Sequence, residues 1–289
     1  MNEAKRNTCP DASRDCELSR ACGNSTDRVR PWLFGVADQA SPSSVSTVCR
    51  AAVDAGFAGI DYAVTALPQA LGDTTASSQA AETIEEGTQD CGLHAVTLVT
   101  TLGRLVETQQ TVRSWLGQDT GHPTGWLTLA LNGENATSSS ESPVAGTDSE
   151  IGNRLYKLLL GLRFDIESSG VTIAIDADAI QPQLGAIALR ELVDSVGSSA
   201  IGICARIEFG GVQEDPATLL SPLNYRVSVV RICVERATGG DDVGVEFIRQ
   251  IAPAFRQALA AVRTHSPIIV EGVPDPRAAR IAIESLWVP

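Results

Sequence analysis

Eight short apolar runs, most of them followed by a polar turn and a stretch with helical spacing, constrain this chain more than any other feature. The runs are Trp32–Ala37, Gly59–Val64, Ala95–Thr100, Trp126–Leu131, Val171–Ile175, Ala200–Ala205, Val227–Val234 and Pro267–Val270. Several are apolar almost throughout instead of alternating. That pattern suits parallel strands whose outer face is covered by helices. Between the fourth and fifth runs, Ile151, Leu155, Leu158, Leu159, Leu162 and Ile166 line one face of a helix that Gly170 stops. Leu189, Leu192, Val193 and Val196 do the same before Gly197, and Val45, Val48 and Ala52 before Gly56. A further helix carries Phe247, Ile251, Phe255, Leu259 and Val262, with a kink or restart at Pro253. The connections Glu107–Gly117 and Asp215–Leu223 predict only short, poorly formed helices. Strand then helix, repeated eight times over residues 30–289, predicts a (β/α)8 barrel. The rival, a doubly wound open sheet, wants a Gly-rich phosphate turn after an early strand. Phe34-Gly35-Val36-Ala37 is followed by no G-x-G-x-x-G.

Residues 1–29 are polar and aperiodic, and read as a disordered tail preceding the barrel. Cys9, Cys16 and Cys22 in that tail match no zinc spacing, while Cys49, Cys91, Cys204 and Cys233 sit singly in apolar segments, as small buried hydrophobes do. The opening Met1-Asn2-Glu3-Ala4-Lys5-Arg6 has no apolar core of a signal peptide, so the expected setting is a reducing cytoplasm. The sequons at Asn24 and Asn135 then carry no meaning. No apolar stretch approaches the roughly 18 residues of a membrane span.

Charge excludes more than it suggests. The 289 residues carry 22 basic and 35 acidic side chains, a net charge of −13. Nucleic acid demands clustered Lys and Arg, so neither it nor a membrane is an expected partner. Only three histidines are present. His94 and His265 sit beside the starts of the third and eighth runs and His122 precedes the fourth, all at the end of the barrel away from the chemistry.

In such a barrel the site lies at the C-terminal strand ends. The polar residues there are Asp38, then Asp61 and Tyr62, Thr100 and Thr101, Asn132, Asp176 and Asp178, Arg206 and Glu208, Arg231 and Glu235, and finally Glu271. Residues two apart along a strand share a face. Asp176 with Asp178, Arg206 with Glu208, and Arg231 with Cys233 and Glu235 are therefore expected to point together, giving a mixed cluster of acids and two guanidiniums. The polar stretch 133–150 reads as a lid or an insertion on this face, and 237–242 carries two adjacent acids that would repel a phosphate.

The phrases Asp54-Ala-Gly-Phe-Ala-Gly-Ile-Asp61, Cys91-Gly-Leu-His-Ala-Val-Thr97, Glu167-Ser-Ser-Gly-Val-Thr-Ile-Ala-Ile-Asp176, Glu214-Asp-Pro-Ala-Thr-Leu-Leu220 and Pro267-Ile-Ile-Val-Glu271 resemble, in order and spacing, the xylose-isomerase-like TIM barrels. That superfamily holds sugar phosphate isomerases/epimerases and apurinic endonucleases. The resemblance covers about residues 30–289 and implies a divalent metal held by Glu, Asp, His and Glu from strands 5 to 8. Carried over by position, the strand-5 Glu becomes Asp176 and the strand-8 Glu is kept as Glu271. The strand-6 Asp falls on Arg206 and the strand-7 His on Arg231, while strand 4, where many members show His, reads Leu131-Asn132-Gly133. Arg has no lone pair for a metal and stays protonated. The expectation is thus a degraded, metal-free site in which Arg206 and Arg231 pair with Asp176 and Glu271.

Two functions follow from the resemblance. One is a divergent sugar phosphate isomerase/epimerase-like enzyme acting on a small sugar or sugar acid. There Asp176 and Glu271 would move protons, and Arg206, Glu208, Arg231, Glu235 and Asn132 would hold the substrate. The other is a metal-free pseudoenzyme that binds a carbohydrate-like molecule or regulates. The endonuclease branch needs a multinuclear metal centre and a basic face, and is set aside.

Overall fold

A computed structural model describes residues 32–36, 42–65, 93–117, 124–132, 147–209, 216–234, 253, 256–257, 259–260, 266–272 and 275–285. Eight parallel strands among them close a barrel in chain order: β1 (Trp32–Val36), β2 (Gly59–Thr65), β3 (Leu93–Thr101), β4 (Thr124–Asn132), β5 (Thr172–Asp176), β6 (Ile201–Phe209), β7 (Val227–Val234) and β8 (Ile268–Glu271). Pairing of β1 with β8 closes the ring. The near-continuous apolar runs are explained by two buried faces. Leu33, Ala95, Ala174, Cys204, Val229 and Ile269 form the inner cluster, with Trp126 against it. The alternate residues, such as Ile60, Leu98, Leu129, Ile175, Ile203, Ile232 and Val270, face the helices.

Among the described residues the helices with full bounds are α1 (Pro42–Asp54), α2 (Leu105–Gly117), α3 (Thr147–Ser169), α4 (Ala177–Leu184), α5 (Ala186–Val196), α6 (Pro216–Leu223) and α7 (Pro276–Ser285). Of the stripe read from α3, Leu155, Leu158, Leu159, Leu162 and Ile166 are all without exposure, and Ile151 is partly buried against the same core. α5 buries Leu189, Val193 and Val196 and ends on Gly197, whose φ of 73° is the left-handed conformation that glycine adopts without a Cβ clash. Among the described residues, no helix is long and apolar enough to cross a membrane.

Two segments depart from expectation. Residues 105–117 form a full helix of 13 residues instead of a short one. Its stripe starts at Leu105, outside the expected span, and is interrupted by Thr108, which is buried and hydrogen-bonded to Thr100. α4 follows β5 without a linker, so Asp178 stands in the first turn of a helix and not on a strand. The tail 1–29, Asp38, Cys91, His122, His265, the segment 237–242 and most of 133–150 and 247–262 lie outside the described residues. Cys204 and Cys233 are buried free thiols, whereas Cys49, buried on α1, is disulfide-bonded rather than a lone hydrophobe.

Gly202 on β6 packs closely against the start of β7 and the residue before it. A Cβ there would lie 2.3 Å from Ser228 Oγ and 2.8 Å from the Arg226 carbonyl oxygen. Backbone cannot retreat as a side-chain tip can. Gly202→Ala is therefore expected to destabilise the barrel by about 1–3 kcal/mol, measured by urea unfolding; an unchanged midpoint would contradict the packing.

Candidate functional site

The charged cluster sits where β2, β5, β6, β7 and β8 open at their C-terminal ends. Arg231 is its centre, only 4% exposed. Its Nη1 donates to Glu271 Oε2 at 2.5 Å, and its Nη2 donates to Asp61 Oδ2 at 2.9 Å and to Thr97 Oγ1 at 2.6 Å. The Thr97 hydroxyl in turn donates a hydrogen bond to Asp61, with Oδ1 and Oδ2 at 3.1 and 2.9 Å. One guanidinium thus ties β2, β3 and β8 to its own strand, β7.

Arg206, in register with Arg231 on the neighbouring strand, caps this arrangement from the solvent side. Its Nη2 lies 2.8 Å from Glu271 Oε1 and its Nε 3.5 Å from Asp178 Oδ2. Cys233, paired in register with Glu271, donates its S–H to Oε1. Glu271 is therefore held from three sides, and Gly35 leaves it room: a Cβ on Gly35 would come within 3.0 Å of Glu271 Cβ.

Asp176 closes β5 and plays a different part. Its Oδ1 accepts the Asp178 backbone N–H at 3.1 Å, so it caps α4. The expected pairing of both arginines with Asp176 and Glu271 is corrected accordingly. Glu271 is paired as expected, but the other partner of Arg231 is Asp61 and that of Arg206 is Asp178. Asp176 and Asp178 do reach the same cluster, through the strand-to-helix turn and not through strand alternation.

Burial and charge set the protonation states. Burial pushes the Glu271 carboxyl up, but Arg231, the Cys233 thiol and Arg206 outweigh it and hold it below the usual range. For Asp176 burial wins: its carboxyl is raised despite Arg231, the Asp178 N–H and Arg206. Burial alone would lower Arg231, yet Asp61 and its other neighbours keep it charged well above its ordinary range. Burial also raises the Cys204 and Cys233 thiols, leaving them protonated.

Asn132 closes β4 and Glu208 lies in β6, but their side chains, and all of Glu235, lie outside the described residues. Thr100 and Tyr62 point outward, Thr100 to Thr108 and Tyr62 into the helix-facing core. Thr97 was the residue to find on that strand. Asp61 carried a signal of its own as the one charged residue inside the apolar run Gly59–Thr65.

The donors that the described residues place at the mouth do not fit a divalent cation. Among the described residues no group of three or more His, Cys, Asp or Glu side chains is placed to hold one. The carboxylates of Asp61 and Glu271 already accept from the Arg231 guanidinium, which offers no lone pair.

No family model matches the sequence, and no curated protein does. Solved structures do share the architecture. A D-allulose 3-epimerase from Methylomonas sp. superposes with a TM-score of 0.58 at 13% identity, covering 88% of this chain and 96% of that one. A D-psicose 3-epimerase from Clostridium cellulolyticum H10, solved with D-tagatose, gives 0.52 at 8% identity, over 87% and 97% of the two chains. A xylose isomerase-like TIM barrel protein from Mycobacterium smegmatis, in complex with magnesium, gives 0.50 at 10% identity, over 91% and 97%. The chain has the fold of the xylose-isomerase-like TIM barrels.

Proposed function

We propose that this barrel binds a small polyhydroxylated, carbohydrate-like molecule at its C-terminal mouth, without a metal and without proton transfer through Glu271. The single observation that carries this reading is the saturation of the strand-8 carboxylate. A general base needs a free lone pair and a pKa near the working pH. Glu271 has its oxygens engaged by Arg231, Arg206 and Cys233 and its carboxyl held low. Hydroxyl groups remain suitable ligands for a mouth rich in carboxylate and guanidinium edges. The epimerases of the same fold, one of them solved with D-tagatose, support the ligand class.

One observation favours a second reading, a metal-independent isomerase or epimerase. Asp176 has a raised carboxyl, as an acid–base residue often does. The two are separated by isothermal titration and product analysis with simple aldoses and ketoses, with and without a chelator. The expected result is binding that a chelator leaves unchanged, with no isomerised or epimerised sugar. Turnover that survives the chelator and is lost in Asp176→Asn would establish the enzyme instead. Binding abolished by the chelator would overturn both.

A further inference from the structure

Among the described residues of the mouth, the carboxylates of Asp61, Asp176, Asp178 and Glu271 face only two guanidiniums. Arg231 is spent on Asp61 and Glu271, and Arg206 bridges Glu271 and Asp178. Asp176 is left over. It is 6% exposed, its Oδ1 takes the Asp178 N–H, and its Oδ2 accepts from none of the described residues. A second unmet group stands on the same inner wall. Thr128, fully buried, is in register with Ala174, two residues before Asp176, and with Thr97, and its Oγ1 has no hydrogen-bond partner. It belongs to the inward face of β4 with Trp126, since Leu127 and Leu129 face the helices.

A neutral hydroxyl brings only dipoles to such a wall. A phosphate brings charge of the wrong sign to cations already paired. A primary ammonium brings a positive charge and three N–H donors.

Resting on the carbohydrate-binding reading above, we propose that the ligand is an amino sugar or amino polyol whose ammonium group sits against Asp176 and Asp178. The Thr128 hydroxyl is the deeper acceptor on that wall. Arg206, half-exposed between Asp178 and Glu271, is the side chain that yields as the ammonium arrives, because its Nε lies 3.5 Å from Asp178 Oδ2, beyond ordinary hydrogen-bond length.

The test titrates the full chain, in chelator at neutral pH, with a hexosamine, the parent hexose, its phosphate ester and ethanolamine. The hexosamine is expected to bind about tenfold more tightly than the hexose, with no detectable binding of the phosphate ester. Asp178→Asn, at a half-exposed position, should cut that preference to about threefold, and Asp176→Asn should bring the two sugars to parity, with thermal melts confirming folding. If Asp176→Asn does not fold, the Asp178→Asn result decides alone. Equal affinity for hexosamine and hexose would overturn the ammonium preference and leave the carbohydrate reading standing. Ethanolamine binding as tightly as the hexosamine, with no binding of the hexose, would overturn the carbohydrate reading. Tightest binding of the phosphate ester would overturn the charge argument.

Discussion

Replacing Arg231 by Met is expected to destabilise the barrel by about 3–5 kcal/mol, the usual consequence of removing one partner from a buried ion pair. Met fills much of the same volume, so the loss reports charge and not a cavity. Among the described residues, Asp61, 1% exposed, would keep only the Thr97 hydroxyl, and Glu271 would lose its shortest contact. An isolated buried carboxylate either pays desolvation or takes up a proton. The double variant Asp61→Asn with Arg231→Met should therefore recover about half of the loss or more, because it removes the stranded charge as well. Urea unfolding of the two variants checks both statements. A loss below about 1 kcal/mol in the single variant would mean that Arg231 is not the tie the geometry describes.

How much of this was legible in the sequence can be read residue by residue. The eight runs and the stripes of α3 and α5 were, because period and burial agree there. Arg206, Arg231 and Glu271 were legible as members of one cluster, since charges inside apolar strands have nowhere to go but the mouth. Their partners were not. Which carboxylate meets Arg231 depends on the tilt and stagger with which β2 and β7 face each other across a closed barrel, and no local pattern encodes that. Asp61 lies mid-strand yet reaches Arg231, while Asp176, at a strand end, turns to cap α4. Thr97 lies inside its strand, where a rule about strand ends does not point, and the pleat sends Thr100 outward. The disulfide at Cys49 is likewise a tertiary fact that a cysteine in an amphipathic helix does not announce.

The same cluster fixes how stability should respond to acid. Glu271 is held below its ordinary value of 4.5, so folding favours its ionised form. A carboxyl of this kind contributes stability that is fully present above pH 4.5 and is lost as pH falls through the lower folded-state value. Asp176 works the other way. Its carboxyl is raised above 3.8, so the folded state holds the proton longer than the unfolded one, and stability declines as pH rises from 3.8 through the folded value. Glu271→Gln separates the two. Near neutral pH it should cost about 3 kcal/mol, because Arg231 and Arg206 each exchange a charged acceptor for a neutral one in a largely buried setting. As pH falls below 4.5 that cost should shrink, since the wild-type residue is then being neutralised as well. Urea midpoints of the two proteins, followed from neutral pH into acid, should converge. Parallel curves would show that Glu271 does not carry the charge that Arg231 and Arg206 are built around, and the account of a guanidinium-locked mouth would fall with it.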